Sequence, residues 1–264
     1  MDVKIKILLT KRIFSNSKLS QVTIFIILAI LIVIGIIAFF VLRSGFLKEE
    51  YPKSNPQRFI EKCVADAVEP SVRAVMAGGG RIEPSFFKMY RGEKYNYLCY
   101  QKNYYLTCVN QYPQLKKIIE EEIKQDCEKR IEKCFNDLRI DLENKGFMIS
   151  ESDLNYSIEL VPQKVLIKIN KKMDISKGDK KQSFKKFNVA ILSPLYELSN
   201  VAREIVNHES QYCNFEYNGF MLFYPQYDIK RISYDESRLY RIIDRRSGAE
   251  FKFAVRSCAL PPGL

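Results

Sequence analysis

The chain has 264 residues, 47% of them hydrophobic, with 42 Lys and Arg against 31 Asp and Glu for a net charge of +11. That length can bury a real core in one large domain or two small ones, and the absence of any Gly-, Ser- or Pro-rich run argues against a disordered chain. Seven cysteines with no C-x-x-C pair, and one histidine, argue against a zinc framework.

Residues 1–20 form a short basic tail, with Lys4, Lys6, Lys11, Arg12 and Lys18 against Asp2, a net +4. The remaining +7 reads as spread over residues 43–264. Val22 to Leu42 is an uncharged run in which Thr23 is the sole polar side chain. As a helix it would be about 30 Å long, the thickness of a bilayer's hydrocarbon core. The run predicts a transmembrane helix over residues 21–42, with the lipid bilayer as partner through residues 22–42. Basic residues in short loops stay cytosolic, so the expected topology is N-terminus in and C-terminus out. The run is long for the apolar part of a cleaved signal peptide, and Arg43-Ser44-Gly45-Phe46 is a poor cleavage site. It reads as an uncleaved signal anchor. Of its small residues, Gly35 and Ala38 make no small-xxx-small pair, so the span is expected to associate weakly with itself.

Two resemblances attach to these residues. The basic tail, the sequence Gln21-Val22-Thr23-Ile24-Phe25-Ile26-Ile27, the pattern Phe59-Ile60-Glu61-Lys62-Cys63, the triplet Gly78-Gly79-Gly80 and the ending Arg256-Ser257-Cys258-Ala259-Leu260-Pro261-Pro262-Gly263 resemble single-span membrane proteins of small-genomed archaea. That family is uncharacterised, so the resemblance implies a location and no activity. The segment around Ser20-Gln21 is also similar to archaeal type IV pilin signals, which are cut before Gln. Here Phe25 stands where those helices usually carry Glu, and Leu19 where a charge is usual. This second resemblance implies a pilin-like filament subunit.

After a linker over residues 43–55, Asn55-Pro56 predicts a helix start, with Asn55 as N-cap and Pro56 in the first turn. Phe59, Ile60, Cys63, Val64, Ala67, Val68, Val72 and Val75 follow helical spacing. Pro70 should kink this helix and the glycine triplet should end it. Residues 86–112 are rich in aromatics, and Tyr95–Tyr100 and Tyr104–Val109 read as two strands in which Cys99 and Cys108 can face each other. Tyrosines interleaved with lysine suit a sugar- or nucleic-acid-stacking surface or, more plainly, a cover for a small core. The second reading is preferred, and nucleic acid is not an expected partner of an exported domain.

Gln114 to Leu138 predicts the strongest helix, with Leu115, Ile119, Ile123, Cys127, Ile131, Cys134 and Leu138 on one face. Cys127 and Cys134 lie about 10.5 Å apart along its axis, too far to bond to each other. From residue 146 the chain turns to strands: Asn155–Leu160, Lys164–Asn170, Lys172–Ile175 and Phe184–Leu192 as an antiparallel meander. Asn155-Tyr156-Ser157 is a glycosylation sequon, so Asn155 is a candidate acceptor. Ser193-Pro194 opens another helix that ends near His208. Strands return at Met221–Phe223 and Tyr227–Ile232, and a last hairpin joins Arg238–Asp244 to Phe251–Val255.

All seven cysteines, Cys63, Cys99, Cys108, Cys127, Cys134, Cys213 and Cys258, follow the apolar run, which fits disulfides outside the cytosol. An odd number leaves at least one thiol over, and Cys213 is the partner expected for Cys258. The single histidine, His208, stands near Cys213, but its place at a helix end accounts for it without catalysis. No G-x-S-x-G, H-E-x-x-H or Walker motif occurs, so no catalytic, cofactor-binding or metal-ligating residue is assigned.

These readings combine into an α+β fold: an N-terminal transmembrane helix, then an extracytoplasmic domain of amphipathic helices packed on antiparallel sheet. The segments are the tail 1–20, the span 21–42, a helical and Tyr-rich subdomain 43–145 and a sheet-plus-helix subdomain 146–264. The expected function is that of a membrane-anchored surface protein with a structural or interaction role, acting through a protein partner or by self-association. The alternatives are a pilin-like filament subunit and an anchored enzyme acting on the envelope.

Overall fold

The computed structural model describes residues 26–34, 36 and 55–261, and the chain divides into two compact units, Met1–Tyr51 and Pro52–Leu264. In the first unit residues 26–34 and 36 are helical (α1). The expected transmembrane helix is corrected here: among the described residues no helix is long and apolar enough to cross a membrane. The basic tail, Gly35, Ala38 and the remainder of the apolar run lie outside the described residues.

The second unit is α+β. Its first helix, α2 (Pro56–Ala77), begins where Asn55 accepts a hydrogen bond from the Arg58 amide at 3.3 Å. Ile60, Val64, Val68, Val72 and Val75 form its buried stripe. The helix continues through Pro70 and stops at the glycines for a definite reason. The Gly80 amide bonds the Val75 carbonyl at 2.9 Å and the Gly79 amide reaches Met76, with Gly79 at φ +63°, the left-handed position of a Schellman cap. A Cβ on Gly79 would stand 2.4 Å from the Lys252 carbonyl oxygen. Gly79→Ala should therefore destabilise the fold by about 2 kcal/mol or more, combining left-handed strain with a backbone clash. A chemical denaturation midpoint checks this, and an unchanged midpoint would refute it.

The long helix α3 (Leu115–Asn144) buries the whole expected stripe and runs two turns past Leu138, because Leu142 continues it four residues on. Six strands make one sheet: β1 (Phe87–Tyr90), β2 (Glu93–Tyr100), β3 (Val109–Asn110), β8 (Tyr227–Tyr234), β9 (Ser237–Asp244) and β10 (Glu250–Arg256). Their order is β1-β2-β10-β9-β8, with β3 also on β2. The second sheet contains β4 (Met148–Glu151), β5 (Asn155–Val161), β6 (Lys164–Lys177) and β7 (Lys180–Leu192), with β6 central, β4 and β5 along one side and β7 on the other. Two further helices, α4 (Leu195–Tyr212) and α5 (Tyr217–Phe223), precede β8.

Several expectations change. The sheets are not wholly antiparallel, since β2 and β10 run parallel and join the two ends of the unit. Lys164–Asn170 and Lys172–Ile175 are one 14-residue strand, bulged between Asn170 and Met173. Met221–Phe223 is helical, in α5, where Glu216 caps the Asn218 amide; so short an apolar run carries no period that separates helix from strand.

Helix α2 touches β7 and β10, and α4 touches β5 and β6 as well as β9 and β10, so these two helices lie between the two sheets. Residues from 55–145 and from 146–261 share one core, where Ile119, Ile123, Val165, Ile167, Phe187, Ile205, Phe251 and Phe253 are all buried. The outer faces of both sheets turn away from that core.

Candidate functional site

Three disulfides brace the helices and the six-stranded sheet, and none lies in β4–β7. Cys63–Cys134 ties α2 to α3 with Cα atoms 5.8 Å apart. Cys99–Cys108 closes the loop after β2 at 5.4 Å, and Cys213–Cys258 joins the end of α4 to the segment after β10 at 5.7 Å. The last two are the pairs suggested by the sequence. Cys127 is the odd thiol, buried in the α3 stripe, where burial pushes its pKa up to about 11. At neutral pH it stays a thiol and is a poor nucleophile.

Beside the Cys213–Cys258 bridge lies a charge cluster that the sequence reading overlooked. Glu209 on α4 has no exposed surface. The Tyr240 hydroxyl donates to its Oε1, and Arg238 Nη1 lies 3.2 Å from Oε1 and 2.9 Å from Oε2. Arg238 also donates to the carbonyls of Cys213 and Ser257. Ser257 Oγ donates to the Glu209 carbonyl at 2.8 Å and accepts from the Cys108 amide at 3.0 Å. Burial raises the Glu209 carboxyl above the ordinary range, with Arg238 and Tyr240 opposing it. The Arg238 guanidinium and the Tyr240 hydroxyl both face inward to Glu209, so the group reads as an internal clamp.

His208, next in sequence, points the other way and lies 3.2 Å from Glu204 Oε1. Cys213 is committed to its disulfide, so no Cys/His nucleophile pair forms. Among the described residues no group of three His, Cys, Asp or Glu side chains is placed to hold a metal ion. Asn155 is exposed at the first position of β5, opposite Asn170.

The tyrosines cover the outer face of the six-stranded sheet. Tyr95 and Tyr97 pack with Leu239 and Ala254 in a second small cluster, flanked by Tyr90, Tyr100 and Ile232. The Tyr97 hydroxyl bonds Ser237 Oγ at 2.7 Å, and Phe86 stands against Tyr97 and Tyr100 with ring centroids 4.9 and 4.7 Å away. Tyr95 and Tyr97 are buried among these rings, and the Tyr97 hydroxyl is held inside the cluster and not in water.

The outer face of the four-stranded sheet is different. Residues 164–186 contain nine lysines against Asp174 and Asp179, a net +7. Since the chain carries +11 and residues 1–20 carry +4, the rest is neutral overall. The charge read as spread over residues 43–264 is therefore concentrated on one hairpin, β6–β7. A running sum of charge along the sequence would have found it. Lys164, Lys168 and Lys172 are exposed along β6, and Lys181, Lys185 and Lys186 along β7. Lys168 pairs with Glu159 and Lys172 with Asp174, while no ion-pair carboxylate among the described residues meets Lys164, Lys181 or Lys186. Neighbouring Lys172 and the Ser183 hydroxyl hold the Asp174 carboxyl below the usual range. At the hairpin end of this sheet, residues 148–150, 174–176 and 181–183 line a shallow trough of about 480 Å³.

No protein-family model matches the chain, and no curated protein and no solved structure matches it either.

Proposed function

We propose that residues 52–264 act outside the cytosol as a disulfide-braced α+β module with a structural or protein-interaction role. The observation that carries this reading is the pairing of six of seven cysteines into three bridges, each joining or closing a different part of the unit. Such bonds persist in oxidising compartments and are rare where thiols are kept reduced. The outer face of the four-stranded sheet, charged with lysine, supplies an exposed surface.

The test is cysteine mapping on protein taken directly from its native source, alkylated before lysis. Non-reducing peptide maps should give Cys63–Cys134, Cys99–Cys108 and Cys213–Cys258, with Cys127 alkylated only after denaturation. Alkylation of all seven cysteines without reductant would overturn the proposal.

A further inference from the structure

We propose that the outer face of β6 and β7 is a docking surface for an anionic lipid bilayer. This deepens the interaction role proposed above and rests on it only for which leaflet is met. Same-face residues along β6 recur about every 6.6 Å, and β7 lies about 4.8 Å to the side. Lys164, Lys168 and Lys172 take every second same-face position, about 13 Å apart, while Lys186 stands opposite Asn170 and Lys181 opposite Ser176 on the neighbouring strand. The result is a grid of ammonium groups on one outward face.

Two ordinary explanations cover only part of this grid. Lysines on an edge strand prevent edge-to-edge pairing, which accounts for β7. They do not account for β6, which is hydrogen-bonded on both sides and has no edge to guard. Solubility calls for mixed charges over the surface, whereas here the unit's whole surplus lies on one hairpin. Lys186 stands opposite Asn170 and so is the diagonal cross-strand neighbour of Lys168; like charges so placed repel, and an external anion relieves that repulsion.

The chemistry of the face selects the partner. All nine basic residues of 164–186 are lysine and none is arginine, so there is no planar fork for bidentate grip on a fixed carboxylate or phosphodiester. The residues that share the outward register, from Asn155, Ser157 and Glu159 to Ser150 and Asp174, include no aromatic ring on which a base or sugar could stack. Point charges on such a face suit mobile headgroups that rearrange beneath them, and clustered lysines near an anionic bilayer each strengthen binding about fivefold. Leu192, 83% exposed opposite Lys164, and Met148, 69% exposed opposite Ser176, bring apolar groups to the two ends of the same face.

The experiment is lysine acylation footprinting of the full chain with vesicles of phosphatidylcholine alone or mixed equally with phosphatidylglycerol. The anionic vesicles should slow acylation of Lys164, Lys181 and Lys186 at least fivefold, with Lys129 on α3 unchanged, and about 1 M salt should abolish the protection. Substituting Lys164, Lys172, Lys181 and Lys186 together by Gln should reduce the preference for anionic over neutral vesicles about 100-fold or more. Glu159→Gln, which removes a counter-charge from the face, should increase that preference severalfold. Equal acylation with both vesicles, an unchanged preference in the quadruple variant, or protection by single-stranded nucleic acid but not by vesicles would each overturn the proposal. Disulfide mapping of the same preparation shows separately whether the exported reading has failed.

Discussion

Replacing Arg238 with methionine is expected to cost about 3–5 kcal/mol of folding free energy, because it leaves a buried carboxylate without its cation. Glu209 has no exposed surface and the Arg238 side chain is only 20% exposed, so water cannot take over the lost partner. The same change removes donors from the carbonyls of Cys213 and Ser257. Glu209→Gln should cost clearly less: it removes the buried charge and keeps an oxygen for the Tyr240 hydroxyl and for Arg238. The two variants also differ in their dependence on pH. Burial raises the Glu209 pKa in the folded state, so the folded protein holds this proton more tightly than the unfolded chain. Its contribution to stability is complete below the ordinary glutamate pKa of about 4.3 and is lost as pH rises through the higher folded value. Denaturant midpoints of the wild type measured upward from about pH 4 should contain this falling component, and Glu209→Gln should lack it. A tolerated Arg238→Met would show that the cluster is not a stabilising clamp, and identical pH profiles for wild type and Glu209→Gln would show that folding does not raise the Glu209 pKa.

The helices were legible because their signals are local. Asn55-Pro56 opens α2 and the glycine triplet closes it, and the Leu115 to Leu138 stripe repeats at three and four residues on a chain that stays buried along its length. Strand positions in the second half were legible from alternation, as at Phe251, Phe253 and Val255. What the sequence does not display is pairing between distant segments. The parallel contact of β2 with β10, the 14-residue continuity of β6 across its bulge, and β1 and β4, whose four residues each carry almost no alternation, all depend on neighbours far along the chain. The same holds for the Glu209 cluster. Glu209, Arg238, Tyr240 and Ser257 come from α4, from β9 and from the segment after β10, and each looks like an ordinary surface residue until those elements meet. The lysine face failed for another reason. Its charge was visible in sequence, but the placement of Lys164, Lys168, Lys172, Lys181 and Lys186 on one face follows only once β6 and β7 are placed in register.

Removing the bridges one pair at a time should rank them by the loop each one closes. Cys63–Cys134 spans 71 residues, Cys213–Cys258 spans 45 and Cys99–Cys108 spans 9. Loop-closure entropy in the unfolded chain then assigns them about 4.4, 4.0 and 2.6 kcal/mol respectively. Alanine is the appropriate replacement, since it leaves no buried hydroxyl at Cys134 or Cys99. C63A/C134A should lower the melting temperature most, by about 9–18 °C for a unit of this size, and C99A/C108A least. Position supports the same order. Cys63–Cys134 fastens the α2–α3 pair at the edge of the core, with Cys134 buried and Cys63 partly so, and the chain between them must leave that pair to build β1, β2 and β3 before returning. Cys99–Cys108 closes a short loop whose ends are already held by the β2–β3 register of Cys99 with Asn110. Cys127→Ala keeps all three bridges and serves as the control for loss of a buried sulfur. Scanning calorimetry of the three double variants and this control decides the matter. A larger loss from C99A/C108A than from C63A/C134A would mean that local packing around the bridge, and not the length of the loop it closes, sets its contribution.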